Sequence, residues 1–113
     1  MIAIASPDPL VRWRIVGGGL EHSADGGARW DAVSLGVPAA LTAGAAPSVA
    51  ACWVVGRAGA IWRSEDGRTW RRVPFPEMTD LSSVRATDAR AASVSTADGR
   101  TFNTTDGGTT WSR

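Results

Sequence analysis

The sequence predicts an all-β fold, in which about three antiparallel four-stranded blades are arranged as in a β-propeller. First, a short turn motif recurs around Asp25, Asp66 and Asp106, so that 41 and then 40 positions separate its copies. Second, short runs of strand-forming residues alternate with turn residues along the chain, as in antiparallel folds. Third, no stretch shows the 3.6-residue apolar period of a helix. Four short strands in about 40 residues make one propeller blade.

The repeated motif, which we call the box, is Ser/Thr-x-Asp-Gly followed by two or three residues and a Trp. The middle copy is one residue shorter, which predicts a tighter loop there. The box residues are Ser23, Asp25, Gly26 and Trp30, then Ser64, Asp66, Gly67 and Trp70, then Thr104, Asp106, Gly107 and Trp111. Three matched copies at one period indicate an internal structural repeat.

Each residue type in the box has a physical reason to be there. An Asp side chain accepts hydrogen bonds from backbone N–H groups a few residues further on, and Gly accepts positive φ. The Trp ring buries a large apolar area when it folds over the turn. We therefore predict that each box closes the loop between the third and fourth strands of its blade, and that its Trp belongs to the core.

Strand-like runs lie at equivalent places around each box. Each unit has an innermost run, a second run ending near a Gly, a third run before the box and a fourth run starting at the box Trp. In the first unit these are residues 2–5, 13–16, 20–22 and 30–33. Prolines at 38, 74 and 76 mark the borders, which predicts blades at about 1–38, 39–77 and 78–113.

Composition excludes several function classes. The chain has 113 residues and a formal net charge of +1, which gives no case for a nucleic-acid partner. Its one cysteine, Cys52, excludes an intrachain disulfide and a thiolate metal cluster. A calcium loop would carry several acidic residues at alternate positions, whereas each box has one Asp. We expect no metal, no cofactor and no catalytic residue.

The boxes and the segments around them resemble a known family. The segments are Trp13–Gly19, Cys52–Gly59, Asp66–Pro74 and Val84–Arg90. They are similar to the Asp-box, or bacterial neuraminidase, repeat of β-propellers. Within that group they look most like photosystem II assembly and stability factor domains, especially those at the C-terminus of bacterial membrane-anchored, anti-sigma-factor-like proteins. The resemblance implies a protein partner and an extracytoplasmic, periplasmic location, with membrane contact only through an anchor in a longer parent chain.

The function expected from these features is a non-enzymatic protein-interaction or scaffold module. A carbohydrate-binding propeller is the alternative, and a glycoside hydrolase is less favoured, since a sialidase-type site needs a Tyr nucleophile and the chain has no Tyr. Trp62, Arg57 and Arg63 are the candidate binding residues: Trp62 as a sugar-stacking platform, and the two arginines, together with Arg85, as an anion clamp. His22 and Cys52 are expected to be structural.

Closure of the ring poses a separate question. Three blades are too few for a closed propeller, and an open wedge is expected to expose two blade faces rich in Val, Ile, Trp and Ala. Exposed apolar area of that size favours association. The sequence therefore leaves three arrangements open: a homodimer closing a six-bladed ring, completion by further blades of a longer parent chain, or a compact monomer.

Overall fold

The computed structural model of the protein describes residues 2–33, 35, 40–48, 50–66 and 69–112. These residues form three antiparallel sheets, which we call blades 1, 2 and 3, with strands in chain order. Blade 1 contains β1 (Ile2–Ala5), β2 (Arg12–Val16), β3 (Gly19–Ser23) and β4 (Asp31–Val33). Blade 2 contains β5 (Leu41–Ala45), β6 (Cys52–Gly56), β7 (Ile61–Ser64) and β8 (Trp70–Arg72). Blade 3 contains β9 (Leu81–Ala86), β10 (Ala92–Thr96) and β11 (Thr101–Thr104). The prediction of antiparallel β-blades is confirmed.

Blade 3 differs from the predicted four-stranded pattern. Its fourth-strand position is marked by Ser112, which exchanges two backbone hydrogen bonds with Asn103. The predicted border at 38/39 lies outside the described residues, and the border at 77/78 falls in the link between β8 and β9. The blade borders therefore stay predictions. Within the described ranges the helical content is one 3-10 turn at Arg57–Gly59, and no helix there could span a bilayer.

Each blade has two ends. The box loop and the loop between the first and second strands lie at one end, which we call the box end. The turns between second and third strands lie at the other, which we call the turn end. The links between blades also reach the turn end, where Leu41 N–H donates to Gly18 O and Ala97 N–H donates to Asp80 O.

Blade 2 is buried on both of its faces. Side chains alternate between the two sides of a strand, so successive residues of β6 enter different cores. Cys52 and Val54 pack against blade 1, whereas Trp53 and Val55 pack against blade 3. All four are completely buried. Because the strand has no polar face, it appears as a continuous apolar run in the sequence.

The forward face of a blade is the one turned towards the following blade in the chain. Strand pairing identifies the equivalent residues there. In blade 1 they are Ile4, Trp13, His22, Ile2, Ile15 and Leu20, and in blade 2 they are Ala45, Trp53, Arg63, Ala43, Val55 and Ile61. In blade 3 they are Arg85, Ser93, Asn103, Ser83, Ser95 and Thr101. The forward face is therefore mainly apolar where a blade covers it and polar in blade 3.

The opposite, backward face shows the same contrast. Blade 2 carries Val54 and Trp62 side by side on this face, against blade 1. Blade 1 carries Arg14 and Glu21 at the equivalent positions, joined by an ion pair of 2.5 Å. The expectation that an open wedge exposes two apolar blade faces is thus wrong for the described residues, because charged and hydroxyl side chains replace the apolar ones on both outward faces.

We expect the isolated chain to be a monomer, since polar outward faces provide little apolar area to drive ring closure between copies. Light scattering behind size exclusion should give the mass of one chain at every concentration tested. A stable mass of two chains would contradict this expectation and restore the ring-closing homodimer.

Candidate functional site

The boxes of blades 1 and 3 close their loops with the same hydrogen bonds. In blade 3 the Thr104 hydroxyl accepts from Gly108 N–H at 2.9 Å and donates to Asp106 Oδ1 at 2.7 Å. Asp106 Oδ1 also accepts from Thr110 N–H at 3.0 Å. Equivalent bonds in blade 1 join Ser23, Asp25, Gly27 and Arg29. Hydroxyl and carboxylate together satisfy the loop's inward-pointing N–H groups.

These bonds also explain the ionisation of the box carboxylates. The hydrogen bond from the Thr110 hydroxyl, with that from its backbone N–H, lowers the pKa of Asp106. The Arg29 N–H, followed by the Ser23 hydroxyl, lowers the pKa of Asp25. Both residues are therefore stabilised as anions. Their position in the loops is that of turn anchors rather than proton donors.

The middle box is tighter. Asp66 Oδ1 accepts from Thr69 N–H at 2.7 Å, three residues on, whereas Asp25 and Asp106 accept from residues four further on. Ser64 donates to the same carboxylate at 3.3 Å. The middle box has one residue fewer than the other two, which accounts for its shorter hydrogen-bonded loop. Gly67, the fourth predicted member of this box, lies outside the described residues.

The box tryptophans lie at the rim of the cores. Trp30, Trp70 and Trp111 are half-buried, whereas Trp13 and Trp53 are completely buried. Trp30 Nε1–H donates to Gly27 O of its own loop, and Trp111 Nε1–H donates to Pro74 O of the link between blades 2 and 3. Trp70 and Trp111 pack against the two cores as expected, although they are not fully buried, whereas Trp30 lies outside both clusters and covers its own turn.

Trp62 offers no free ring face to a ligand. It is 3% exposed and belongs to the core between blades 1 and 2. The Arg72 guanidinium lies 4.7 Å from its ring centroid. The sugar-stacking alternative therefore loses its candidate platform within this chain, because the ring is buried between blades 1 and 2.

Arg63 holds blade 3 against blade 2. Its Nη1 donates to Ala89 O at 2.7 Å and makes an ion pair with Glu65 at 2.8 Å. The neighbouring Trp53 Nε1–H donates to Asp88 O at 3.0 Å. The Arg63 side chain is 12% exposed, and its Nε is buried without a hydrogen-bond partner in the described structure. The Arg63 guanidinium therefore belongs to the interface between blades 2 and 3.

The structure does not bring the three candidate binding residues together. Arg57 is exposed at the turn end, after β6, whereas Arg63 pairs with Trp53 at the start of β6, towards the box end. Trp62 points to the opposite face of β7 from Arg63. An anion clamp formed by Arg57 and Arg63 is therefore excluded by their places on the hairpin.

Two other singled-out residues lie in packed surroundings. The His22 ring lies 5.1 Å from the Trp13 ring. Cys52 is completely buried, and this burial raises the pKa of its thiol, which keeps it protonated and unreactive. Across the ranges that the structure describes, no three His, Cys, Asp or Glu side chains form a group able to hold a metal ion.

A groove at the turn end was not predicted from the sequence. It has a volume of about 420 Å³ and lies along the link that joins blades 2 and 3. Its lining includes Arg72, Phe75 and Met78, and the Met78 side chain is 83% exposed. The signal that could have found it is the presence of two large apolar residues in a Pro-rich link, where polar residues are the norm. We call it the link groove.

The walls of the link groove are held in place from both sides. Phe75 packs edge-on against Phe102 at 5.0 Å and against Trp111 at 5.4 Å between ring centroids. Arg100 donates to Glu77 Oε2 at 2.6 Å and also binds Asp98. The Arg100 hydrogen bond, with that of Thr96, lowers the pKa of Asp98 to about 2. A charged cluster and an aromatic cluster therefore fix the link on blade 3.

Comparison with known proteins identifies the family. A family model described as photosynthesis system II assembly factor YCF48 matches residues 15–113. The chain belongs to the YCF48 family. The resemblance noted in the sequence is thereby confirmed, while an anti-sigma-factor context stays a prediction. A search of curated proteins finds no match.

Solved structures of YCF48 share the fold. A YCF48 bound to a D1 peptide has 20% sequence identity and a TM-score of 0.84 over 99% of this chain. YCF48 from Cyanidioschyzon merolae has 22% identity and a TM-score of 0.79, also over 99% of the chain. The chain spans 39% and 38% of their lengths. An ancestral GH74 enzyme matches at 16% identity and a TM-score of 0.74, over 97% of this chain and 17% of its own.

Substitution of Gly108, which follows the box glycine Gly107 in blade 3, should lower the free energy of unfolding. Gly108 has φ of +91°, and a Cβ there would overlap the Val73 side chain. Gly99 has a similar φ of +92° but open space around it. We expect Gly99→Ala to lower the free energy of unfolding by about 1 kcal/mol, and Gly108→Ala by about 3 kcal/mol. Urea denaturation measures both, and equal losses would contradict the role of the Val73 contact.

Acid should weaken the box loops. A carboxylate whose folded-state pKa is depressed stabilises the fold above its ordinary pKa, and this contribution is lost as the pH falls through the folded value. We expect the unfolding temperature to be level near neutral pH and to fall between about pH 4 and pH 2. In Asp106→Asn the unfolding temperature should fall less steeply with decreasing pH than in the wild type. Asp31→Asn, an exposed carboxylate on β4, is the control and should keep the full fall.

Proposed function

We propose that this chain is a non-enzymatic protein-interaction module that binds a short segment of a partner protein in the link groove. The observation that carries the proposal is the composition of that groove. It combines a rigid aromatic wall at Phe75, an exposed flexible apolar side chain at Met78 and a cation at Arg72. Methionine adapts its shape to different apolar partners, which suits a peptide-binding surface.

The YCF48 structure bound to a D1 peptide supports a peptide as the class of partner. That structure matches almost the whole of this chain in fold, although the chain spans 39% of its length. A segment with one apolar and one acidic side chain would fit the groove best. The apolar side chain would pack between Phe75 and Met78, while the acidic one would pair with Arg72.

Four carboxylates of the described turns lack the ionisation that a glycoside hydrolase needs in its acid. A glycoside hydrolase needs a carboxylic acid whose pKa is raised so that it can protonate the leaving group. Asp25, Asp88, Asp98 and Asp106 all have lowered pKa values, because each accepts hydrogen bonds that stabilise its anion. The GH74 neighbour shares the fold at 16% identity, and a shared fold does not by itself carry the chemistry of that enzyme to this chain.

The place of the module in a cell is part of the same proposal. We keep the extracytoplasmic face of a bacterial membrane, with a parent-chain anchor, as the expected location. Its basis is the family resemblance.

Selection of peptides on the immobilised chain tests the proposal. A displayed library of random peptides should yield binders that contain an apolar residue next to an acidic one. Affinity for these peptides, measured by fluorescence anisotropy, should fall at least about tenfold in Met78→Ser and in Arg72→Gln. Both side chains are exposed, so the variants should keep the fold.

Leu10→Ser is the matched control. Leu10 is 55% exposed at the box end, and removal of this apolar side chain should leave peptide affinity unchanged. Equal losses of peptide affinity in Met78→Ser and Leu10→Ser would indicate non-specific apolar binding and would contradict the proposal. Release of product from chromogenic glycosides by the purified chain would overturn its non-enzymatic part.

A further inference from the structure

The three blades carry equivalent rows of residues across the forward face, near the box end. We call them the forward rows. They are Ile4, Trp13 and His22 in blade 1, Ala45, Trp53 and Arg63 in blade 2, and Arg85, Ser93 and Asn103 in blade 3. The rows occupy the same place in the repeat, and blade 2 is the one whose row shows what this place can bind, since Trp13 Nε1 in blade 1 is buried without a hydrogen-bond partner in the described structure.

The forward row of blade 2 binds a loop through its backbone. The loop joins β9 to β10 in blade 3. Trp53 Nε1–H donates to Asp88 O at 3.0 Å, and Arg63 Nη1 donates to Ala89 O at 2.7 Å. Two side-chain donors of the row therefore hold two successive carbonyl groups of an adjacent segment. Recognition of this kind depends little on the side chains of the segment that is bound.

The forward row of blade 3 lines an open groove of about 390 Å³. Ser93 stands where blades 1 and 2 have Trp, and this smaller side chain leaves room for a ligand. The Ser93 hydroxyl donates to Asn103 Oδ1, so the NH₂ group of Asn103 keeps its donors for another partner. Arg85 is exposed and has no ion pair in the part of the chain that the structure describes.

We propose that this groove binds an extended peptide segment of a partner protein that presents a backbone carbonyl and a carboxylate. Asn103 donates to the carbonyl, as Trp53 and Arg63 do in blade 2. Arg85 pairs with the carboxylate, for which a guanidinium is well suited. The site lies on the outward face of blade 3, away from the link groove, and it does not rest on the function proposed above.

A second copy of the chain is a poorer occupant. Its equivalent loop has the same shape, since Asp8 accepts from Leu10 N–H as Asp88 accepts from Arg90 N–H. Docking in ring fashion would place the backward face of its blade 1 against blade 3. That face carries Arg12, Arg14 and Glu21, and because Arg14 and Glu21 pair with each other, Arg12 leaves it with a net positive charge that would approach the like charge of Arg85. An acidic peptide instead complements the charge of the groove.

Titration of the ¹⁵N-labelled chain with two blocked peptides tests the inference. One is Thr-Val-Asp-Val-Thr and the other is Thr-Val-Asn-Val-Thr, both acetylated and amidated. We expect saturable shifts of the backbone amides around residues 85–87, 93 and 103–105, with the Asp peptide binding about fivefold more tightly. Arg85→Gln should remove this preference, and Asn103→Ala should weaken both peptides about threefold. Arg12→Gln, an exposed arginine on the other outward face, should change neither affinity.

Several outcomes would overturn the inference. Equal affinity for the two peptides, or an unchanged preference in Arg85→Gln, would remove the role of the carboxylate. Shifts confined to other regions, or none up to about 10 mM peptide, would exclude the groove as a peptide site. Broadening at residues 6–14 without peptide, growing with protein concentration, would assign the groove to a second copy. Loss of peptide affinity at the link groove would not change these results, because the variants that test the two grooves lie on different faces of the protein.

Discussion

The rest of the structure depends on the burial of blade 2 between its two neighbours. Its second strand sends Cys52 and Val54 into one core and Trp53 and Val55 into the other. The two cores share this single sheet, so neither can form fully without it. Thr42 adds a direct bond from the inner strand of blade 2, where its hydroxyl donates to Leu81 O at 2.6 Å. Both the packing and this hydrogen bond therefore depend on blade 2, the middle one of the three.

Polar atoms determine how closely the blades approach at the box end. Trp53 and Arg63 present N–H donors from an otherwise apolar interface, and the loop of blade 3 supplies the carbonyls. An interface made only of aliphatic side chains would tolerate sliding of one sheet over the other. Fixed donors restrict that sliding because a displaced loop would leave buried polar groups unsatisfied. Arg63 therefore acts in positioning, although its residue type suggested ligand binding.

Much of the fold could be predicted from the sequence because its signals are local. The box around Asp106 satisfies its own loop through Thr104 and nearby N–H groups, so the pattern and the structure coincide. The candidate site could not be predicted in the same way. Arg57 and Arg63 are six positions apart in sequence but lie towards opposite ends of a hairpin, and the link groove combines Phe75 and Met78 of the link with residues of blade 2. Such placement depends on long-range packing, which the local pattern does not encode.

The contrast between inner and outward faces also limits how this repeat can change over evolutionary time. A duplicated copy of blade 2 added after blade 3 would bring Cys52-type and Trp62-type positions against Ser93, Ser95 and Thr101. That new interface would bury hydroxyl groups opposite apolar side chains, so a single duplication would be unfavourable until several positions had changed together. Insertion between blades 1 and 2 avoids this mismatch, because both of the contacting faces are already apolar. A duplicated blade is therefore accommodated more easily in the middle of the array than after blade 3.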